Sequence, residues 1–144
     1  MPTITVSEII KANKQKVYAL LKDMEQFPKF MRDVKKITVL KRLPDRQTTA
    51  WEVEIDSLLV KWNQIDVFND ARCKINFQMT KGDYHAYKGC WSLSDSGRYT
   101  QISLRTELNW GLPILEKHVN RTLTKKAKLG LLGILKAIKK KAEN

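Results

Sequence analysis

Strict alternation is the feature of this sequence that most narrows what it can fold into. In Trp51 to Asp56 the apolar residues are Trp51, Val53 and Ile55, separated by Glu52, Glu54 and Asp56. In Cys73 to Thr80, Cys73, Ile75, Phe77 and Met79 alternate with Lys74, Asn76, Gln78 and Thr80. A period of two places successive side chains on opposite faces of a strand, so each segment has one apolar and one wet face. Such strands build antiparallel sheets that are covered on one side only.

Turn lengths give a trial register. A three-residue loop at Lys81–Asp83 sets Phe77 opposite Tyr87, Ile75 opposite Gly89 and Cys73 opposite Trp91. His85, Tyr87, Gly89, Trp91 and Leu93 then share the apolar face. A four-residue loop from Ser96 to Tyr99 sets Trp91 opposite Leu104 and Gly89 opposite Thr106. In Val60 to Phe68 two phases compete. A loop at Asn69–Arg72 favours Trp62, Gln64, Asp66 and Phe68 facing inward, with Asp66 between Ile75 and Trp51. Cys73 points in and Cys90 out, so the two are expected to stay unbridged.

The flanks are helical apart from a first strand, Thr3 to Ile10. Asn13 is a plausible N-cap for a helix from Lys14 to Met24, where Val17, Leu20, Leu21 and Met24 recur at helical spacing. Phe27-Pro28 is expected to end it, with a short second helix at Phe30 and Met31. After Gly111-Leu112-Pro113 a long helix is expected from Ile114 to about Lys141. Its apolar stripe comprises Leu115, Val119, Leu123, Ala127, Leu131, Ile134, Leu135 and Ile138. Gly130 and Gly133 each cost ~1 kcal/mol in a helix, which suggests close backbone approach or a bend.

No repeat or linker interrupts the chain, so residues 1–144 are expected to form a single domain. The longest apolar run, Leu129 to Leu135, is far short of the ~20 residues that span a bilayer. The N-terminus has no secretory pattern, and the two cysteines make neither a disulfide framework nor a zinc motif. A cytoplasmic setting is expected, with a membrane-peripheral one as a further option; no metal and no cofactor is expected. No P-loop, GxGxxG, HExxH or nucleic-acid motif occurs, so no sequence-specific nucleic acid is expected. The net charge is +12, and residues 112–144 carry nine basic and two acidic residues. That helix face either solubilises the protein or attracts polyanions, such as a ribosome or an anionic membrane, through Lys136, Lys139 and Lys140.

A one-faced sheet with aromatic residues on its concave side and a long amphipathic helix above it tends to enclose a cavity. The run from Val17-Tyr18 through Asp23, Glu25 and Phe27-Pro28 to Phe30, with Gly82-Asp83 and Gly89-Cys90-Trp91 further on, resembles the START-like helix-grip (SRPBCC) superfamily. The similarity is to its polyketide cyclase/dehydrase and coenzyme Q-binding branch and spans nearly the whole chain. It implies an α+β helix-grip fold: a seven-stranded antiparallel sheet wrapped around a long C-terminal helix, with two short helices after the first strand. It also implies binding of an apolar or aromatic small molecule, such as a quinone, lipid or polyketide-like compound, between sheet and helix. Some relatives are aromatase/cyclases, and one bacterial group is ribosome-associating. Aromatase/cyclase relatives often carry an arginine where Asp66 stands, which counts against cyclase chemistry.

The expected ligand-contacting set is Trp51, Trp62, Gln64, Phe77, Tyr87 and Trp91, with Leu104 and Thr106 from the last strand and Val119 and Leu123 from the helix. Each aromatic could equally be core packing. Asp66, His85 and Tyr87 are the candidates for proton transfer. An inward Asp66 should have a raised pKa, because burial disfavours charge. His85 and His118 could equally be exposed.

Overall fold

The computed structural model describes residues 3–109, 111 and 117–144, with the backbone alone at 117–120. Strand β1 (Thr3–Ile10) leads into helix α1 (Lys14–Lys22) and a 3-10 helix (Met24–Lys29). The meander is β2 (Val34–Leu43), β3 (Arg46–Ile55), β4 (Leu58–Asn69), β5 (Lys74–Gly82), β6 (Ala86–Ser96) and β7 (Tyr99–Asn109). Helix α2 (Lys117–Glu143) follows. The seven strands form one antiparallel sheet in the order β1-β7-β6-β5-β4-β3-β2, so the first strand returns beside the last. This is the seven-stranded helix-grip architecture. Among the described residues, no helix is long and apolar enough to cross a membrane.

Local chemistry explains the helical segment. Asn13 is extended and its Oδ1 accepts from Lys16 N at 2.8 Å, capping α1. Pro28 does not end a helix as expected. It lies inside the 3-10 helix, and Phe30 and Met31 follow that helix rather than form a second one. The 3-10 turn buries Met24 and Phe27 completely. The Phe27 ring meets Trp51 edge-on at 6.1 Å and Phe30 at 6.0 Å. Burying a side chain of that size stabilises the fold by roughly 1.5–3 kcal/mol.

Alternation sets the facing of β3 to β7 correctly, but three registers are displaced, two of them by two residues and β3–β4 by four. Across β5–β6, Phe77 pairs with Gly89 and Ile75 with Trp91. Across β4–β5, Phe68 pairs with Ile75 and Asp66 with Phe77. Asp66 therefore lies between Phe77 and Gln47, not between Ile75 and Trp51. Across β3–β4 the two-residue turn Asp56-Ser57 brings Gln47 beside Asp66, and in the other two pairs the cause is turn length. Cys73 belongs to the turn, at φ 51°, rather than to β5, and β6 begins only at Ala86. Both pairs expected across β6–β7, Trp91 with Leu104 and Gly89 with Thr106, are present. A side chain at Gly89 would meet Arg105 O at 2.2 Å and the Phe77 ring at 2.6 Å, so the Phe77 ring occupies that space. Cys73 is buried, Cys90 is half-buried, and both are free.

Helix α2 packs along β1 and over the concave face. Ala127, Leu135, Ile138 and Ala142 are buried on it, and Leu131 and Ile134 pack against the core. Its C-terminal end is tied to β1, where Lys139 Nζ donates to Ile9 O at 2.6 Å. Lys11 N likewise donates to Glu143 Oε2 at 2.7 Å. The expected helix start at Ile114, the break at Leu112-Pro113, Leu115, and the His118 and Val119 side chains lie outside the described residues.

Candidate functional site

A cavity of about 470 Å³ lies between the concave face and α2. That falls within the range of small-molecule sites, roughly 300–1,000 Å³. Its floor is aromatic. The Trp62 ring stacks on Trp51 at 5.6 Å with 14° between planes, and contacts Tyr84 and Tyr87, each at 5.4 Å. Phe77 meets Tyr87 at 5.3 Å, and Tyr84 meets Tyr87 at 5.2 Å.

Below the tryptophans lies a polar cluster. Strands β3 and β4 form three successive inward rungs: Trp51 with Trp62, Thr49 with Gln64, and Gln47 with Asp66. Trp62 Nε1 donates to Gln64 Oε1 at 2.7 Å, and Gln64 Nε2 donates to Asp66 Oδ1 at 2.6 Å. On the other strand Trp51 Nε1 donates to Thr49 Oγ1 at 2.9 Å, and Thr49 Oγ1 donates to Asp66 Oδ2 at 2.8 Å. Gln47 Nε2 adds a longer bond to Oδ2 at 3.5 Å. An indole N–H can only donate, so each relay runs from tryptophan to carboxylate and Asp66 receives every bond.

Asp66 has no exposed surface. Burial pushes its carboxyl up from 3.8 to about 6, with the bonds from Thr49, Gln64 and Gln47 pulling the other way. Burial also raises the Tyr87 phenol, with the Asp66 charge adding to it, so Tyr87 is a neutral hydroxyl. The Tyr84 phenol is raised by burial, then by Tyr87 and Asp83.

Residues 10–125 match the family described as polyketide cyclase/dehydrase and lipid transport. The chain belongs to that family. No curated protein matches it by sequence. Solved structures give the same fold. The protein TTHA0849 from Thermus thermophilus is 22% identical with a TM-score of 0.93, covering 98% of this chain and 97% of that one. The Zhui aromatase/cyclase from a Streptomyces species is 14% identical with a TM-score of 0.87, covering 99% and 93%. A START superfamily protein from Mycobacterium smegmatis is 18% identical with a TM-score of 0.77, covering 98% and 97%.

In this family member the cavity brings together most of the residues singled out from the sequence. Trp51, Trp62, Gln64, Phe77, Tyr87 and Trp91 line it, as do Leu104 and Thr106. Leu123 does not; it is half-buried elsewhere along α2. Asp66 faces the interior but does not line the cavity, because Gln64 and Thr49 stand between it and the tryptophans. His85 is exposed and outside the cavity, since β6 begins one residue later and Tyr84 turns inward in its place. Sequence reasoning does not single out Gln47, Thr49 or Tyr84. Gln47 and Thr49 share the phase of Trp51 and could be found by extending that alternation back along β3. Tyr84 lies in a loop, where alternation carries no information. The described residues include no group of three or more His, Cys, Asp or Glu placed to hold a metal ion.

Proposed function

We propose that this family member binds a flat, unsaturated, largely apolar small molecule, of quinone, lipid or polyketide-like character, between the sheet and α2. The observation that carries this reading is the continuous aromatic wall of Trp62, Tyr84, Tyr87 and Phe77 on a cavity of about 470 Å³. Aromatic faces at such spacing favour another ring stacked or edge-on against them. The N–H groups of Trp51 and Trp62 are already engaged, whereas the Tyr87 hydroxyl, which has no hydrogen-bond partner among the described residues, serves as a polar handle for a ligand carbonyl or hydroxyl.

Carriage is favoured over cyclisation. A general acid or base must reach the proton it moves. Asp66 is sealed behind Gln64, and an amide does not relay a proton as a carboxyl or imidazole does. Of the three proton-transfer candidates, Tyr87 is the one that touches the cavity. The lysine-rich face of α2 adds weak, salt-sensitive attraction to a ribosome or an anionic membrane through Lys136 and Lys140, both exposed.

Native mass spectrometry of the protein purified without denaturant should detect a co-purifying small molecule. Titration with 1,4-naphthoquinone should quench tryptophan emission saturably, and Trp62→Ala should remove most of that quenching. Absence of both a bound mass and saturable quenching would sink the carrier reading.

A further inference from the structure

The geometry points to a ligand entrance cut by Gly130 and Gly133 and latched by the Lys126–Asp56 ion pair, a feature that rests on the small-molecule reading above. The residues that bound the cavity fall into two groups. The aromatics on the floor are buried or half-buried, whereas Arg32, Asp33, Glu54, Asp56, Leu129 and Gly133 are exposed. The exposed ones mark where the cavity meets solvent: between the end of β3 with the segment before β2, and one flank of α2.

That flank is Lys126, Gly130 and Gly133, at i, i+4 and i+7, which a helix places in one line. It is separate from the stripe through Ala127, Leu135 and Ile138 that packs on the sheet. The sequence suggests close backbone approach or a bend at these glycines. Close approach does not hold. A Cβ at either position would have none of the described residues within 4 Å, and neither residue has a positive φ. Two residues that weaken a helix, with no contact among the described residues and no dihedral requiring them, keep space empty. The space they keep empty is the side of the cavity that opens to solvent, so their lack of side chains sets how wide a ligand can enter.

Across the gap Lys126 Nζ meets Asp56 Oδ2 at 2.5 Å. Asp56 and Ser57 form the β3–β4 turn with φ of 52° and 68°, a conformation unfavourable for residues other than glycine, asparagine and aspartate. Both partners of the ion pair are substantially exposed, at 40% and 58%. Such a pair is weak and screened by salt, which suits a latch that must release.

The test uses N-phenyl-1-naphthylamine, a neutral aromatic probe that fluoresces on burial, in stopped-flow association and dissociation with the full chain. Gly130→Leu should slow association roughly tenfold and dissociation by a similar factor, leaving the Kd nearly unchanged, as an obstructed entrance requires. The double variant Gly130→Ala/Gly133→Ala should unfold at a higher temperature than the wild type and bind more slowly. Asp56→Asn, which tolerates the left-handed turn, should speed both rates and abolish the acceleration that salt produces in the wild type. Three results would overturn the entrance: unchanged rates in Gly130→Leu, a Kd altered through dissociation alone, or a lower melting temperature in the alanine pair. A wild type that does not bind the probe at all would instead overturn the ligand reading, and the entrance with it.

Discussion

Gln64 donates from Nε2 to Asp66 Oδ1 at 2.6 Å, and this bond leaves its Oε1 to accept the Trp62 indole at 2.7 Å. The amide has one orientation that satisfies both neighbours, because indole only donates and the carboxylate accepts. The position of a cavity-lining ring is thereby tied to a buried carboxylate two rungs away. Asp66 is a positioning residue for Trp51 and Trp62.

Trp62→Phe keeps an aromatic ring but removes the N–H, leaving Gln64 Oε1 buried without its donor. An unsatisfied buried acceptor costs about 1–3 kcal/mol. Urea unfolding should show a loss of that size, with the lost ring volume adding to it. A variant as stable as the wild type would mean that the relay contributes nothing.

Asp66 makes stability depend on pH in a direction opposite to most carboxylates. Its pKa rises from 3.8 to about 6 on folding. The unfolded chain therefore releases this proton first. The contribution is fully present below about pH 4, falls as pH rises toward about 6, and is constant above that. A shift of that size corresponds to about 3 kcal/mol across the window. Asp66→Asn has no such titration, so subtracting its unfolding free energies from those of the wild type between pH 4 and 7 should isolate the slope. A difference that rises with pH would contradict the raised pKa.

Gly89→Ala should destabilise the fold, because the new methyl would sit 2.2 Å from the Arg105 carbonyl oxygen, on rigid backbone. Overpacking of this kind costs about 1–3 kcal/mol. Thermal unfolding measures it. An unchanged melting temperature would mean that β6 and β7 separate more easily than their continuous pairing suggests.

The three lysines named from the sequence should divide. Lys136 and Lys140 are exposed, whereas Lys139 donates to Ile9 O and Glu143 Oε2. Lys136→Glu and Lys140→Glu should elute earlier from heparin with unchanged melting temperatures. Lys139→Glu should also melt earlier, since it places a carboxylate against a carbonyl and Glu143. Equal melting temperatures for all three would show that the Lys139 contacts are not stabilising.

Alternation by itself determined which residues face inward on β3 to β7, because side-chain direction has a period of two and does not depend on the partner strand. It therefore placed Trp51, Trp62, Asp66, Phe77, Tyr87 and Trp91 on one face, and helical spacing placed Ala127, Leu135 and Ile138 on α2 facing them. Parity cannot distinguish registers that differ by two residues. Turn geometry decided those: Cys73 at positive φ set Asp66 beside Phe77, a longer loop before Ala86 set Phe77 beside Gly89, and the Asp56-Ser57 turn set Asp66 beside Gln47. Only the tertiary structure showed that Asp66 is sealed beneath Gln64 and Thr49. It also showed that His85 turns outward, that Lys139 anchors α2, and that no described residue lies within 4 Å of a Cβ at Gly130 or Gly133. Each of these depends on what another element brings within a few ångströms, and a local pattern records direction along the chain without recording what lies across the gap.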